Sequence, residues 1–155
     1  MMRIACVVMI VAALLAAAPA AMAQDAKAEA KWLTSLDEAK AAAKKDGKPI
    51  LIDFTGSDWC GWCVKLRKEV FDTPEFNAWA AKNVVLCEID FPRKKSQDDA
   101  TKAANNELMK KYGVKGFPTI VFTTAEGTEI GRSGYKPGGP KGWTESAEAI
   151  LKKGK

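Results

Sequence analysis

The stretch that most constrains this chain is the pentapeptide at residues 59–63, which reads WCGWC. An almost entirely apolar run precedes it at residues 50–54, and an amphipathic stretch follows it from Val64. The first pattern predicts a buried strand and the second predicts a helix. The sequence therefore predicts that Cys60 and Cys63 lie at the first turn of a helix, on one face, where their sulfurs can close or open a disulfide.

The position of Cys60 has a chemical consequence. The thiolate, not the thiol, attacks disulfides, and the first turn of a helix stabilises an anion through unpaired backbone N–H groups and the helix dipole. We therefore predict that Cys60 is the nucleophile and that Cys63, one turn deeper, is the resolving thiol. Asp58 would raise the pKa of Cys60 unless its charge is used to cap the helix. The intervening Gly61 and Trp62 supply no cation, which favours reduction of substrates over oxidation.

Composition excludes several other classes of site. The chain contains 155 residues and no histidine, so no Cys-His or Ser-His-Asp nucleophile and no His-ligated metal can form. A zinc knuckle needs four ligands, and Cys87 is the one cysteine left beyond the pair and Cys6. We expect no metal and no bound cofactor. Cys87 is expected to be a buried, unreactive thiol.

The N-terminus has the layout of a secretory signal. Arg3 precedes an apolar run at residues 4–18, and the small-residue triplet at 21–23 resembles a cleavage site. We predict a signal peptide at residues 1–23, a flexible leader at 24–31 and one domain at 32–155. The protein would then be periplasmic or secreted, with no stable insertion in a membrane after cleavage.

The net charge of +5 is spread over helices of mixed sign, without a basic patch interleaved with aromatic residues. No nucleic-acid partner is therefore expected. The predicted partners are protein thiols and disulfides together with an upstream redox partner, and the expected state is a monomer.

The hydrophobic pattern predicts an α/β fold with a four-stranded mixed sheet flanked by helices on both faces. The expected strands cover residues 50–55, 84–90, 117–122 and 128–132. The expected helices cover residues 36–45, 59–71, 74–83, 98–112 and 143–152. The helix at 98–112 is predicted to bury Ala104, Leu108 and Met109. Trp32 and Leu33 are expected to pack at the edge of the first helix.

Three motifs, in this order, resemble the thioredoxin superfamily and in particular its secreted thioredoxin-like members. They are ILIDF at residues 50–54, WCGWC at 59–63 and KYGVKGFPT at 111–119. The resemblance implies a cis peptide bond before Pro118, opposite the cysteine pair, which lets the backbone of Phe117 pair with an extended substrate. The alternative is that Pro118 merely begins a strand.

The resemblance also implies a role for a buried carboxylate. Asp53 matches the family's buried carboxylate, which takes a proton from the resolving cysteine; alternatively, it hydrogen-bonds the loop and has no proton role. Trp59, Trp62, Phe117 and Pro118 would form an apolar rim that binds the substrate. The sequence departs from the family pattern in three respects. One extra residue separates Asp53 from Cys60, Leu86 replaces a lysine of the second strand, and the segment at 91–106 is longer.

Two alternatives to general thiol:disulfide exchange remain at this point. The first is a non-catalytic binding module whose CxxC pair is a static disulfide. The second is a dedicated electron donor for cytochrome or metalloprotein assembly, which needs the same two thiols.

Overall fold

The computed structural model describes residues 30–154. The predicted signal peptide at 1–23 and most of the predicted leader lie outside the described residues. In chain order the elements are β1 (Trp32–Leu33), α1 (Leu36–Asp46), β2 (Ile50–Thr55), α2 (Gly61–Leu66), a π-turn (Arg67–Phe71), α3 (Pro74–Asn83), β3 (Val85–Asp90), α4 (Asp99–Lys111), β4 (Thr119–Thr123), β5 (Glu129–Ser133), α5 (Gly139–Leu151) and a closing 3₁₀ turn (Lys152–Gly154).

Local side-chain chemistry sets several helix ends where the sequence predicts them. Ser35, Thr73 and Asp98 each accept a backbone N–H of the first turn that follows them, and so begin α1, α3 and α4. Gly47 ends α1 with a φ of 64°, a left-handed conformation that glycine adopts without steric cost.

The sheet has five strands in the order β1-β3-β2-β4-β5, not the four that the sequence predicts. β1, β2 and β3 are parallel, whereas β4 and β5 run antiparallel to their neighbours. The additional strand, β1, pairs Trp32 with Leu86 and Leu33 with Cys87. Two residues are too few to show strand periodicity, so this edge strand depends on its pairing with β3.

Helices cover both faces of the sheet, as predicted. One face packs against α1 and the end of α4, around Phe54 and Tyr112. The other packs against α2, the π-turn, α3 and α5. Trp143 lies at the centre of this second core, 1% exposed, with its ring against those of Phe71, Phe76 and Phe122.

Three helices differ from the sequence prediction. The helix after Cys60 widens at Arg67–Phe71, where the Asp72 N–H donates to the Arg67 carbonyl at 2.8 Å; the i→i+5 spacing brings Phe71 into the core beside Leu66. α5 begins at Gly139, earlier than predicted.

The prediction that α4 buries Ala104 is wrong, because Ala104 is exposed and its neighbour Asn105 is buried instead. The Asn105 amide donates to the Asp90 carbonyl at 2.9 Å, so its burial satisfies a polar group that an alanine at this position could not bind. Leu108 and Met109 do pack against the core.

Within residues 30–154 no helix combines the length and the apolar character needed to cross a bilayer.

Candidate active site

The loop after β2 delivers the cysteine pair to the start of α2. The backbone N–H groups of Trp59 and Cys60 both donate to the Gly56 carbonyl, at 3.2 and 2.9 Å. A Cβ atom at Gly56 would lie 2.5 Å from the Trp59 indole, so only glycine lets the ring pack against the backbone here. The tight turn therefore sets the direction in which Trp59 and Cys60 leave the strand.

Cys60 and Cys63 are joined by a disulfide, with their Cα atoms 5.2 Å apart. Cys60 is the N-cap residue of α2, and its Sγ accepts the backbone N–H of Cys63 at 3.2 Å. Cys60 is 7% exposed and Cys63 is 4% exposed. The helix start thus directs a hydrogen-bond donor at the outer sulfur, the arrangement that stabilises a thiolate.

The Asp58 carboxylate does not cap α2. It accepts the backbone N–H groups of Arg93, Lys94 and Lys95 at 2.9, 2.7 and 2.8 Å. The hydrogen bond from Arg93 and those from its two neighbours lower the pKa of Asp58, so it stays ionised. The Asp58 carboxylate therefore binds the segment that connects β3 and α4 and not the start of α2.

Trp59 is packed into an aromatic wall beside Cys60. Its indole N–H donates to the Phe91 carbonyl at 2.8 Å, and its ring meets that of Phe117 edge-on, with the centroids 5.8 Å apart. The Arg93 guanidinium stacks on the Trp59 ring, 3.6 Å from the ring centroid. Phe91 in turn packs against Phe117 at 5.2 Å. The Phe117–Pro118 peptide bond, at the end of this wall, is cis.

Trp62 lies apart from that wall and is 58% exposed. Its ring packs against Tyr135 with the centroids 5.0 Å apart, and the Lys65 ammonium lies over both rings at 5.3 and 5.2 Å. The Tyr135 hydroxyl donates to Glu69 at 2.8 Å, which ties the loop after β5 to the active-site helix.

Asp53 lies in β2 on the same face of the sheet as Leu51, beneath α2, and is 3% exposed. Burial raises the pKa of Asp53 to about 7; the Arg67 charge opposes the shift and the Asp90 charge adds to it. Among the described residues its Oδ1 has no hydrogen-bond partner. This oxygen therefore makes no hydrogen bond to the loop, the contact that the alternative role requires.

Arg67 is the cation whose charge lowers the pKa of Asp53. It forms an ion pair with Glu88, which is the register partner of Asp53 on β3, and its guanidinium lies 4.8 Å from the Trp32 ring centroid. Both partners of the ion pair are half-buried. The side chain follows Cys63 by one turn, so it approaches the buried carboxylate from the helix above.

Comparison with known proteins agrees with this geometry. Residues 36–139 match the model of a family described as a thioredoxin-like domain. The chain belongs to this family. It is 39% identical over 127 residues to "Disulfide bond reductase DsbH" of Chlamydia pneumoniae, covering 82% of this chain and 76% of that protein.

The solved structure of "DsbH Oxidoreductase" matches this thioredoxin-like chain with a TM-score of 0.76 and 38% identity, over 81% of this chain and 86% of that one. "Thiol:disulfide interchange protein DsbD" of Cronobacter sakazakii is 35% identical over 113 residues, which is 73% of this chain but only 18% of that protein. With its CxxC disulfide at the start of α2, this thioredoxin-like protein is a thiol:disulfide oxidoreductase.

The structure brings together only some of the residues that the sequence singles out. Trp59, which precedes Cys60, packs against Phe117, whereas Trp62 packs separately against Tyr135. Sequence reasoning missed Arg67, Phe91, Arg93 and Tyr135. Arg93 carries a signal in retrospect, because it begins three consecutive cations in the connection that is longer than in the family pattern.

Cys87 is fully buried in β3, and burial, followed by the Asp53 charge, raises its pKa to about 12. Its thiol is therefore protonated at neutral pH, in agreement with the expectation of an unreactive side chain.

Proposed function

We propose that this chain is an exported thiol:disulfide oxidoreductase that reduces protein disulfides. The Cys60 thiolate attacks one sulfur of a substrate disulfide and forms a mixed disulfide, and the other substrate sulfur leaves as a thiolate. Cys63 then attacks Cys60 Sγ and releases the second substrate sulfur. The substrate gains two electrons, and the protein is left with the Cys60–Cys63 disulfide, which an upstream dithiol partner must reduce.

One observation carries this proposal: Cys60 Sγ is the acceptor at the N-terminus of α2, 3.2 Å from the Cys63 nitrogen. An N–H group that already points at the sulfur stabilises the thiolate without reorganisation, which favours both attack by Cys60 and its departure in the reverse step.

Asp53 is proposed to accept the proton of Cys63 as that thiol becomes the attacking group. A carboxyl group with a pKa of about 7 exchanges protons readily near neutral pH. Its place in β2, beneath the helix that carries Cys63, supports this role. Trp59, Phe117 and Pro118 are proposed to bind the peptide on one side of the disulfide, and the exposed Trp62 on the other.

The reducing direction is supported by two observations. The first turn of α2 carries no acidic or basic side chain, so within this helix the thiolate is stabilised only by backbone N–H groups and the helix dipole. The DsbH relative is named a disulfide bond reductase.

The catalytic test is a pair of cysteine variants assayed for reduction of insulin disulfides. Cys60→Ser should abolish turnover, and Cys63→Ser should accumulate mixed disulfides with the substrate. Cys87→Ala, which alters a buried thiol away from the site, is the matched control and should retain turnover. Turnover by Cys60→Ser would contradict the assignment of the nucleophile.

The redox potential of the disulfide tests the direction. A potential near that of thioredoxin, about −270 mV, is expected for a reductant, whereas one near about −120 mV would indicate an oxidant. A potential below about −300 mV would instead indicate a static disulfide.

Export is tested separately. If residues 1–23 are a cleaved signal peptide, the mature chain purified from its own cells should begin at Gln24, as read by N-terminal peptide mass spectrometry. An intact Met1 would contradict export by this route. Sedimentation of the mature protein tests the proposed monomeric state.

A further inference from the structure

The connection between β3 and α4 is fastened to the active-site loop, although the reaction steps above do not use it. Asp58 binds three successive backbone N–H groups of the segment at 93–95, and Trp59 binds the Phe91 carbonyl. Both fastening side chains come directly before Cys60 in sequence. The segment is therefore held beside the reactive sulfur and not left as a free surface loop.

This segment presents cations to solvent at that position. The side chains of Arg93, Lys94 and Lys95 are all exposed, and their ammonium and guanidinium groups take part in no ion pair among the described residues. The Arg93 guanidinium stacks on the Trp59 ring, so its positive charge lies in direct contact with the aromatic wall. The Asp58 carboxylate, which is bound by the backbone of this segment, offsets one of these three positive charges.

One cation also lies against Trp62, the other tryptophan of the WCGWC motif. Lys65 lies over Trp62 and Tyr135, and its ion-pair distance to Glu69 is a long 3.9 Å. α2 has no acidic residue in its first turn. A substrate segment that contacts both tryptophans thus meets Arg93 on Trp59 and Lys65 on Trp62.

We propose that the Arg93–Lys94–Lys95 segment is a docking element that selects disulfide-bearing protein partners whose cysteines are flanked by acidic residues. The inference rests on the proposed function and specifies its substrate class. Charges of opposite sign at the edge of an interface accelerate encounter and orient the partner, while like charges disfavour it. A protein partner is favoured over an anionic lipid surface because Arg93 stacks on Trp59 and the backbone of Lys94 and Lys95 is bound by Asp58, and both of these anchoring residues come just before the cysteine that must bond to the partner.

The test measures single-turnover oxidation of the fully reduced protein by two short peptides, each with one intramolecular disulfide. The peptides are identical except that glutamates flank the first cysteine in one and lysines in the other. Tryptophan fluorescence reports the second-order rate constant. At low ionic strength the wild-type protein should react about tenfold faster with the acidic peptide, and the ratio should shrink in about 1 M salt, where screening lengths fall to about 3 Å.

The decisive variant is Lys94→Glu/Lys95→Glu, which reverses two exposed charges whose side chains make no hydrogen bond in the described part of the chain. It should lower the acidic-to-basic rate ratio by tenfold or more, while its melting temperature shows that it is folded. Lys152→Glu/Lys153→Glu is the matched control, because it makes the same charge change at two exposed residues beyond α5 and should keep the wild-type ratio.

Equal rates with the two peptides in the wild-type protein, or an unchanged ratio in the Lys94→Glu/Lys95→Glu variant, would overturn the inference. So would salt-sensitive binding to phosphatidylglycerol vesicles without any peptide preference, which would assign the cations to a lipid surface. Failure of the proposed function looks different, since neither peptide would then oxidise the protein at all.

Discussion

At the scale of single residues, the site combines a buried carboxylate with a cation that has two partners. Asp53 is buried from solvent, and among the described residues its Oδ1 has no hydrogen-bond partner, so ionisation is disfavoured. Arg67 forms an ion pair with Glu88, and its positive charge also lowers the pKa of Asp53, which partly offsets that cost. The pKa of the carboxyl group therefore lies near 7, as its proposed role as a proton acceptor requires.

Stability should depend on pH through Asp53. Its pKa is about 7 in the folded protein and about 3.8 when unfolded, so the unfolded state loses its proton first as pH rises. Between pH 4 and pH 7 the folded state should therefore lose about 3 kcal/mol relative to an Asp53→Asn variant, which cannot ionise. Urea unfolding of both proteins across this range measures the difference. Parallel pH curves for the two would contradict the buried, neutral Asp53.

Arg67 should control the pKa of Asp53. Arg67→Met removes the cation that lowers this pKa, and the Asp53 pKa should rise further above 7. A carboxyl ¹³C NMR titration measures it directly. Lys68→Met removes the neighbouring, exposed charge and is the matched control, for which no change is expected. If both variants titrate like the wild type, Arg67 has no electrostatic role at Asp53.

At the scale of elements, the active site depends on loops fastened to one another more than on the α2 helix itself. α2 is only six residues long and passes directly into the π-turn. The loop before it is tied to the connection after β3 by Asp58 and Trp59, and to Asp90 through Ser57. Short elements gain their order from such contacts because their own hydrogen bonds are few.

Loss of the Asp58 carboxylate should release the 93–95 segment. Asp58→Ala removes the acceptor of three backbone N–H groups, so the segment should open more often and expose its three trypsin sites. Limited trypsin digestion under native conditions should cleave there at least about tenfold faster, as shown by fragment masses. Asp46→Ala, at an exposed helix end, is the control and should be cleaved at the wild-type rate. Equal cleavage of both variants would mean that Asp58 does not hold the segment.

At the scale of the whole molecule, the sheet separates two cores, and the second supports the reactive helix. Trp143 of α5 contacts Phe71 of the π-turn, Phe76 of α3 and Phe122 of β4. Its indole N–H donates to the Gly134 carbonyl at 3.0 Å, in the loop that also holds Tyr135. Trp143 thus connects α5 to the π-turn that follows the active-site helix and to the loop that holds Tyr135.

Trp143→Ala should destabilise the fold by about 3–5 kcal/mol, because it leaves a large cavity in a packed core. Trp62→Ala removes the same side chain from a site that is 58% exposed and should change the unfolding free energy by less than about 1 kcal/mol. Chemical denaturation of both variants measures the contrast. Similar losses in the two would contradict the packing described for this core.

Much of the fold could be predicted from local patterns. The strand at β2 follows from its apolar run, and α1 and α3 follow from the capping chemistry of Ser35 and Thr73. β1 could not be predicted, since two residues have no period, and the burial of Asn105 in place of Ala104 depends on a carbonyl of β3. The π-turn also escaped prediction, because the residues from Arg67 to Phe71 fit a regular helix equally well by composition.

The sequence by itself determined the chemistry of this protein: a cysteine pair one turn apart at a helix start, preceded by a buried strand, needs only local geometry to form its disulfide. Only the tertiary structure decided which charges surround that pair. Asp58 adjoins it in sequence yet binds the distant segment at 93–95, whereas Arg67, with no motif to mark it, approaches Asp53. Electrostatic effects depend on the distance between charges and on their burial, and neither quantity can be inferred from the order of the residues alone.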